Sequence, residues 1–327
     1  MRKADLGLLG PVSRLTLGGG GLGAIWGETS ADEAVKTLHA AIDAGIDLID
    51  TAPSYGNCEA VIASAFGGIL PAGVRITTKC QLGEPDRGTA AAILEASLDA
   101  SLAGMGLERV DVLFLHSNIC EDDAVYAFGN EFRGRFATPW SLYVEEVIPA
   151  FEDLKRRGRI GAWGITGVGI PETIIRALSH EQRPDLVQVI TNLMDSAGAI
   201  RRFAEPARPR DILAEAVARD VAVMGIRAVQ AGALTSAIDR SLKDSHPEMA
   251  DYHRAASYRA LCAAEGLDAA MVAHRYALDM DGVATVVLGV KNRAELEQCL
   301  EAEAQGPLPT DLRDRIDALG LRQPAPT

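Results

Sequence analysis

The sequence lacks the patterns that identify several classes of protein. It contains no apolar run long enough to cross a membrane, and its start, MRKADLGLLGPVSR, has neither a long apolar centre nor a small-residue cleavage site. Its five cysteines form no C-x-x-C pair and no His-rich cluster, so neither a disulfide framework nor a zinc site is indicated. We therefore expect a cytoplasmic protein with buried free thiols, no membrane partner and no metal.

Basic residues are also scarce. Lys and Arg number 32 against 45 Asp and Glu, and the formal net charge of −13 repels the phosphate backbone of nucleic acids and the surface of anionic membranes. Nucleic acid is therefore not expected as a partner. A small anionic ligand is still compatible with this charge, because a single basic pocket can bind it locally.

What the sequence does contain is a regular alternation of short β-branched runs and longer helical patterns. This alternation, with no Ser/Pro-rich linker, favours a parallel sheet within one domain. Strands are expected at eight places: 14–18, 46–50, 75–79, 111–116, 162–166, 186–190, 221–226 and 285–290. Eight strand–helix units over 327 residues predict an α/β fold of the closed (β/α)8 TIM barrel type, with residues 1–327 as a single domain.

Helix signals separate the strands. Ser30 and Glu33 have the spacing of a capping box. Further helices are expected to begin near Asn57, Asp86, Ser141, Pro171, Pro209 and Asn292. Pro171 suits a first helical turn, and Asn292 has the character of an N-cap. The segment TDLRDRIDALG near the end predicts a terminal helix capped by Thr310.

Two connections, 117–143 and 227–255, are too long to be simple turns, and long loops in compact domains are usually functional or disordered. The first carries aromatic side chains that favour a pocket wall: Tyr126, Phe128, Phe132, Phe136 and Trp140. We assign Tyr126 and Trp140 to the substrate pocket.

Four polar residues lie at the carboxyl ends of three consecutive strands, where barrel enzymes place their reactive groups. Asp50 ends strand two, Tyr55 lies five residues later, Lys79 ends strand three and His116 ends strand four. The ammonium of Lys79 would stabilise a phenolate at Tyr55 and lower its pKa, while Asp50 would orient the lysine. His116 would donate a hydrogen bond to a substrate carbonyl. This arrangement suits protonation of an oxygen on which negative charge develops.

Each of these residues has an ordinary explanation when it is taken alone. A histidine after a strand is usually a satisfied structural residue, and a lysine at a strand end is usually a solvated side chain. The aspartate could simply cap a turn, and the tyrosine could simply pack. Four such residues on three consecutive strands favour an active site instead.

The segments LIDTAPSYG, ITTK and LFLH, in that order and spacing, resemble the signatures of the aldo-keto reductases. The resemblance runs from RLTLGGGGLGAIWG to GVKNRAELEQCLEA, and it implies a catalytic tetrad of Asp50, Tyr55, Lys79 and His116. Tyr55 would be the general acid in reduction and the base in oxidation, and a nicotinamide cofactor would carry the hydride. The substrate would be a small carbonyl compound or alcohol.

Residues 18–23, GGGGLG, match the G-x-G-x-x-G pattern that follows the first strand of a Rossmann fold. Eight strand–helix units and the position of the tetrad favour the barrel. The glycines, including Gly21 as a cofactor contact, are then expected to allow close backbone approach near the reaction centre. The family resemblance also implies that Trp26 lines the substrate pocket.

The resemblance implies contacts to the nicotinamide amide. Gln188 matches a glutamine that holds this amide in the family. Thr166 and Gly167 stand where the family usually has a Ser-Asn pair, so the asparagine contact is lost. Asn192 is either a substitute for that asparagine or a loop residue.

The segment IRAVQAGAL also departs from the family pattern, which carries YSPL after strand seven. Ile226 stands where a tyrosine usually stacks on the nicotinamide. Arg227 follows and is expected to compensate by binding phosphate. Gly232 is expected to let the loop backbone approach the cofactor.

The segment after strand eight resembles the family's adenosine-phosphate segment. Lys291, Asn292 and Arg293 open a helix and would supply the cationic and hydrogen-bonding partners that a 2′-phosphate requires. They predict NADP(H) in preference to NAD(H). Two replacements count against NADP(H). Glu295 stands where the family frequently has Gln or Arg, and Cys299 stands where it commonly has an Asn near the adenine.

The leading prediction is therefore an NADP-preferring oxidoreductase that acts on an aldehyde, a ketone or a sugar-like alcohol. One alternative is an NAD-dependent sugar dehydrogenase of the same family, favoured if Lys291 and Arg293 point away from the cofactor. A second is a cofactor-binding sensor or regulatory subunit with low turnover. A third, a barrel aldolase with Lys79 as a Schiff-base lysine, leaves Tyr55 unexplained. The sequence does not predict the oligomeric state.

Overall fold

The computed structural model describes residues 1–126 and 129–322, with the backbone alone at positions 130 and 131. The predicted pocket residue Phe128 lies outside the described residues. The centre of the fold is a closed barrel of eight parallel strands, in which the eighth strand pairs with the first. The strands, numbered β1 to β8 in chain order, are Leu15–Gly18, Leu48–Asp50, Arg75–Cys80, Val110–Leu115, Ile160–Gly167, Leu186–Ile190, Ala222–Ile226 and Val283–Leu288.

A helix follows each strand and packs outside the barrel. These helices, α1 to α8, are Ala31–Asp43, Cys58–Phe66, Ala90–Met105, Ile148–Arg156, Pro171–Leu178, Pro209–Ala218, Ala269–Leu278 and Arg293–Ala304. The predicted (β/α)8 barrel is thus confirmed. No helix in the described part of the chain is long and apolar enough to cross a membrane.

The helix ends show which local signals were correct. The Ser30 hydroxyl accepts a hydrogen bond from the Glu33 amide at 3.1 Å, and Asn292 caps α8. The terminal helix Thr310–Asp317 instead has Pro309 at its N-cap position, so Thr310 is its first residue and not its cap.

The two long connections contain ordered structure. In the first, the short strands Asn118–Cys120 and Ala137–Pro139 pair with each other beside the mouth of the barrel, and the helix Asn130–Phe136 lies between them. In the second, the helix Pro247–Arg254 replaces part of the predicted loop, and the helix Ala256–Ala264 follows it.

The amino-terminal end of the barrel is closed by apolar side chains. An N-terminal hairpin, Lys3–Asp5 with Pro11–Ser13, lies across this end, and its Val12 joins a fully buried cluster inside the barrel with Phe114 and Met224. Burial of each large side chain contributes roughly 1.5–3 kcal/mol. This end is therefore apolar, whereas Asp50 and Lys79 lie at the opposite, carboxyl end.

Candidate active site

The register of the strands places the predicted catalytic residues side by side. Asp50 ends β2 opposite Thr77 of β3, and Lys79 lies two residues further along β3. His116 follows β4, and its backbone N–H donates to the Cys80 carbonyl at 2.8 Å. These neighbouring strands end together, so the side chains converge at the carboxyl end of the barrel.

Asp50 and Lys79 form a buried ion pair. The Lys79 ammonium donates to Asp50 Oδ2 at 2.6 Å and to the Thr51 carbonyl at 3.0 Å, and both side chains are almost inaccessible to solvent, at 0% and 2% exposure. Burial lowers the pKa of Lys79, but the effects of Asp50 and Tyr55 together outweigh burial and hold that pKa above its ordinary value. The lysine therefore stays cationic.

The second carboxylate oxygen of Asp50 is also satisfied. Oδ1 accepts hydrogen bonds from the Thr77 hydroxyl and from the Gln188 amide nitrogen, each at 2.7 Å. A buried carboxylate with three donors is fixed in position. It therefore fixes Lys79 as well.

Tyr55 lies directly against this pair. The Lys79 ammonium is 4.8 Å from the centre of the Tyr55 ring, and the His116 ring meets the same ring edge-on at 5.8 Å. Burial raises the pKa of Tyr55, and the opposing effect of Lys79 is smaller. The expected net lowering of this pKa is therefore not seen, although Lys79 acts in the expected direction. Tyr55 is a protonated phenol at neutral pH, the form that a general acid requires.

His116 is neutral. Burial, the charge of Lys79 and the charge of Arg202 lower its pKa to about 3. A neutral imidazole carries one N–H donor and one acceptor nitrogen, so it can donate a hydrogen bond to a carbonyl oxygen. It cannot serve as a cationic acid near pH 7.

A cavity of about 510 Å³ opens at this end of the barrel. Asp50, Tyr55 and His116 line it on one side, and residues of α7 and α8 such as Met271 and Cys299 line it on the other. This volume lies within the roughly 300–1,000 Å³ of small-molecule sites. The cavity thus connects the tetrad to α8, whose start was predicted to bind the cofactor, and to α7, which was not predicted.

The predicted cofactor contacts fall into two groups. Three of them do not line the cavity: Gly21, Asn292 and Arg293. The other six line it: Thr166, Gln188, Ile226, Arg227, Gly232 and Lys291.

Gly21 is required for packing. It lies in the buried helical turn Gly19–Leu22, where a Cβ atom would come within 2.1 Å of the Val290 carbonyl oxygen. Gly18 and Gly20, not Gly21, border the cavity. The glycine cluster therefore serves close backbone packing beside the site.

Arg227 is held in a buried ion pair. Its guanidinium donates to Glu248 at 2.8 Å and to the Gln230 side chain at 2.9 Å, and only 7% of the arginine side chain is exposed. Arg227, Gln230 and Ala231 all have positive φ angles, a conformation that costs free energy in residues other than glycine. The loop after β7 is thus a strained segment anchored by Arg227.

Lys291 and Arg293 also have carboxylate partners. The Lys291 ammonium lies between Asp239 and Glu295, 2.7 Å from the latter. Burial alone would lower the pKa of Lys291, but these carboxylates outweigh burial and raise it. Arg293 is exposed and pairs with Glu33 at 2.9 Å.

Asn292 and Asn192 both serve the local backbone. The Asn292 side chain accepts from the Glu295 amide at 2.9 Å, as expected of an N-cap. Asn192 is fully buried, and its side chain bonds the backbone of Met194, Ser196 and Arg227. Its contacts are those of a loop residue, not of a substitute for the family asparagine.

The three predicted substrate-pocket residues have different positions. Trp26 lines the cavity, with the Arg240 guanidinium 5.8 Å from its ring. Tyr126 packs edge-on against Phe203 at 5.1 Å, beyond the cavity wall. Trp140 lies away from the cavity, with the Arg176 guanidinium 3.8 Å from its ring.

Helix α7 and the residues that it contributes to the cavity were not predicted from the sequence. His274 and Met271 line the cavity, and His274 Nε2 lies 3.4 Å from Cys299 Sγ of α8. The helix has a detectable start, because the Asp268 side chain accepts from the Met271 amide at 2.9 Å. An Asp followed by AAMVAHRYAL is an N-cap signal, and it could have revealed this helix.

Comparison with known proteins agrees with this geometry. The sequence profile of the Aldo/keto reductase family matches residues 14–320. The L-galactose dehydrogenase of Arabidopsis thaliana is 26% identical over 331 aligned positions, which cover 99% of this chain and 92% of that protein. An aldo-keto reductase of Mycolicibacterium smegmatis is 43% identical over a shorter stretch of 91 residues, 28% of this chain and 31% of the relative.

Two solved structures share the fold. An aldo-keto reductase of Bacillus halodurans in its holo form superimposes with a TM-score of 0.72 at 21% identity, over 98% of this chain and 96% of the other. The glycerol dehydrogenase of Gluconobacter oxydans superimposes with a TM-score of 0.70 at 21% identity, over 97% and 94%. The profile match spans nearly the whole chain, and this chain therefore belongs to the Aldo/keto reductase family of oxidoreductases, enzymes that work with a nicotinamide cofactor.

Proposed function

We propose that this enzyme transfers a hydride between a nicotinamide dinucleotide and a small carbonyl or alcohol substrate, with Tyr55 as general acid in reduction and general base in oxidation. The observation that carries the proposal is the convergence of Tyr55, the Asp50–Lys79 ion pair and neutral His116 at one cavity. The names of two relatives, an L-galactose dehydrogenase and a glycerol dehydrogenase, support a sugar or small polyol, or the matching carbonyl compound.

The chain's own residues perform the proton transfer. During reduction, negative charge develops on the substrate oxygen, and the Tyr55 phenol gives its proton to that oxygen. The Lys79 ammonium stabilises the resulting phenolate, and Asp50 keeps the ammonium in place. The neutral imidazole of His116 donates a hydrogen bond that orients the oxygen. In oxidation the same groups act in reverse.

Cofactor binding is assigned to the remaining cavity residues. A bound nicotinamide would supply or accept the hydride. Thr166 and Gln188 line the cavity and would hold the amide of the nicotinamide. Ile226 would offer the nicotinamide ring an aliphatic surface where an aromatic ring is usual in the family. The donors and acceptors present therefore fit such a group.

The identity of the dinucleotide rests on the charges near α8. The segment Lys291, Asn292 and Arg293 predicted NADP. Each of its two cations is already neutralised, however, Lys291 by Asp239 and Glu295 and Arg293 by Glu33. A 2′-phosphate would have to approach these carboxylates, whereas a carboxylate readily accepts a hydrogen bond from a 2′-hydroxyl. The pairing of these cations favours NAD, and NADP is kept as the second candidate because Lys291 lines the cavity.

Steady-state kinetics with both cofactors test this proposal. A panel of sugars, polyols, aldehydes and ketones is assayed in both directions by nicotinamide absorbance, and kcat/KM is compared for NADH and NADPH. We expect turnover with at least one sugar-like or small carbonyl substrate and a higher kcat/KM with NADH. A clear preference for NADPH overturns the cofactor assignment, and a cofactor-binding protein without turnover would be a sensor or regulatory subunit.

A further inference from the structure

A second cationic group lies beside the tetrad, and the proton transfer does not use it. Arg202 belongs to the loop between β6 and α6, two residues after Ile200, which lines the cavity. Its guanidinium carbon lies 3.9 Å from the centre of the Phe136 ring. The half-buried arginine is therefore held against an aromatic ring, in the same loop as the cavity residue Ile200.

The position of Phe136 connects Arg202 to the catalytic histidine. Phe136 directly precedes Ala137, and Ala137 pairs with Asn118, two residues after His116. Arg202 thus contacts the residue that precedes the short strand pair, and this pair begins two residues after His116. In agreement with this, the charge of Arg202 contributes to the low pKa of His116, after burial and Lys79.

The loop that carries Arg202 is anchored next to it. Phe203 is buried in a small apolar cluster with Cys120, Tyr126 and Ala137, and its ring meets Tyr126 edge-on at 5.1 Å. The charge of Arg202 also reaches Tyr126, where it opposes the rise in pKa that burial causes. With its neighbour anchored, Arg202 loses less conformational freedom on binding a ligand than a free surface arginine would.

Arg202 also lacks the partner that its neighbours have. Arg133 and Arg176, from nearby elements, pair with Glu84 at 2.7 Å and Glu121 at 3.2 Å. Arg202 makes no ion pair with any residue whose side chain the structure describes. In a chain of net charge −13, an arginine held by Phe136 and Tyr126, with no ion pair among the side chains that the structure describes, offers a positive charge to an anionic ligand.

We propose that Arg202 binds an anionic group of the substrate, so that the enzyme acts on carbonyl or alcohol compounds that carry a carboxylate or a phosphate several atoms from the reacting carbon. The guanidinium supplies paired N–H donors that match either group, and Phe136 keeps those donors oriented. This inference rests on the proposed hydride transfer and specifies the class of substrate. It also explains how a strongly acidic protein can accept an anion, because Arg202 provides a positive charge close enough to act on His116.

Matched substrates test the proposal. The kcat/KM of the wild-type holoenzyme is measured for 4-oxobutanoate against butanal, and for glyceraldehyde 3-phosphate against glyceraldehyde. We expect the charged member of at least one pair to be preferred at least tenfold, and the preferred pair identifies the anion as carboxylate or phosphate. In the Arg202→Gln variant the preference should fall to about one, mainly through a higher KM for the charged compound.

The neighbouring Arg201 provides a matched control. It is exposed, and its guanidinium bonds the backbone carbonyls of Phe203 and Ala204, so Arg201→Gln removes the same charge from the same loop. This variant should keep the preference for the charged substrate. Equal kcat/KM values for charged and neutral compounds in the wild type, or equal loss in both variants, overturn the inference. Absence of turnover with all four compounds and the wider panel counts against the proposed hydride transfer itself.

Discussion

Gln188 donates its side-chain amide to Asp50 Oδ1 at 2.7 Å, across 138 positions of the sequence. The family resemblance suggested only that Gln188 touches the cofactor. In the structure it also supports the carboxylate that holds Lys79. One side chain therefore connects the proposed cofactor site to the carboxylate of Asp50.

This link predicts two different effects of removing donors to Asp50. Gln188→Leu should lower the free energy of unfolding by about 1–3 kcal/mol, because a buried acceptor loses a partner, and should also weaken cofactor binding. Thr77→Val removes the other donor to the same oxygen and should lower stability similarly while leaving the cofactor Kd nearly unchanged. Urea unfolding and fluorescence titration with NADH check both. An unchanged Kd for Gln188→Leu would remove the cofactor role from this residue.

The low pKa of His116 predicts a pH dependence of stability. The pKa is about 3 in the folded chain against an ordinary 6.5, so below pH 6.5 the unfolded chain binds a proton that the folded chain does not. Stability is therefore lost as pH falls through this window. Between pH 7 and pH 5 the wild type should lose up to about 2 kcal/mol more than His116→Gln. Urea unfolding of both proteins at the two pH values measures this, and equal losses would contradict a histidine that stays neutral in the folded protein.

The carboxylates around Lys291 predict how cofactor preference can be changed. Glu295→Gln removes one negative charge next to the Lys291 ammonium and should raise the ratio of kcat/KM for NADPH over NADH by roughly tenfold, about 1.4 kcal/mol. Glu297→Gln makes the same change of charge at an exposed position of the same helix and should leave the ratio unaltered. A ratio that responds equally in both variants would mean that only the overall charge matters.

Packing inside the barrel predicts an effect on stability far from the chemistry. A Cβ atom on Gly164 of β5 would lie 2.3 Å from Phe114 Cε1, so Gly164→Ala should destabilise the fold by about 1–3 kcal/mol. Gly134→Ala meets no atom within 4 Å and serves as the control. Thermal or urea unfolding compares the two, and equal stability of both variants would contradict the tight packing around Phe114.

The fold was largely predictable from the sequence because its signals are local. All eight strands were located from short β-branched runs, and Asp50, Lys79 and His116 were placed correctly because parallel strands end at one edge of a barrel. Helix α7 was missed, although Asp268 gave a local signal for its start. Strand periodicity therefore predicted the architecture and the positions of these three side chains together.

Partners that are distant in sequence could not be predicted in the same way. Arg293 looked like a phosphate ligand, and nothing near it in the sequence shows that Glu33 pairs with it from 260 positions away. Trp140 looked like a pocket residue, but its ring contacts Arg176 of α5. Arg202 was not predicted as a site residue, because its position near His116 depends on loops that come together only in the folded chain.

The most direct test of the account is the activity of Tyr55→Phe, which removes the phenol proton and keeps the ring. Tyr143→Phe is the matched control, because Tyr143 is a buried tyrosine outside the cavity. With a substrate from the panel, Tyr55→Phe should lose at least about a hundredfold in kcat for reduction while its NADH Kd stays within about twofold of the wild type, and Tyr143→Phe should keep its activity. Unchanged turnover in Tyr55→Phe would contradict the assignment of Tyr55 as the general acid.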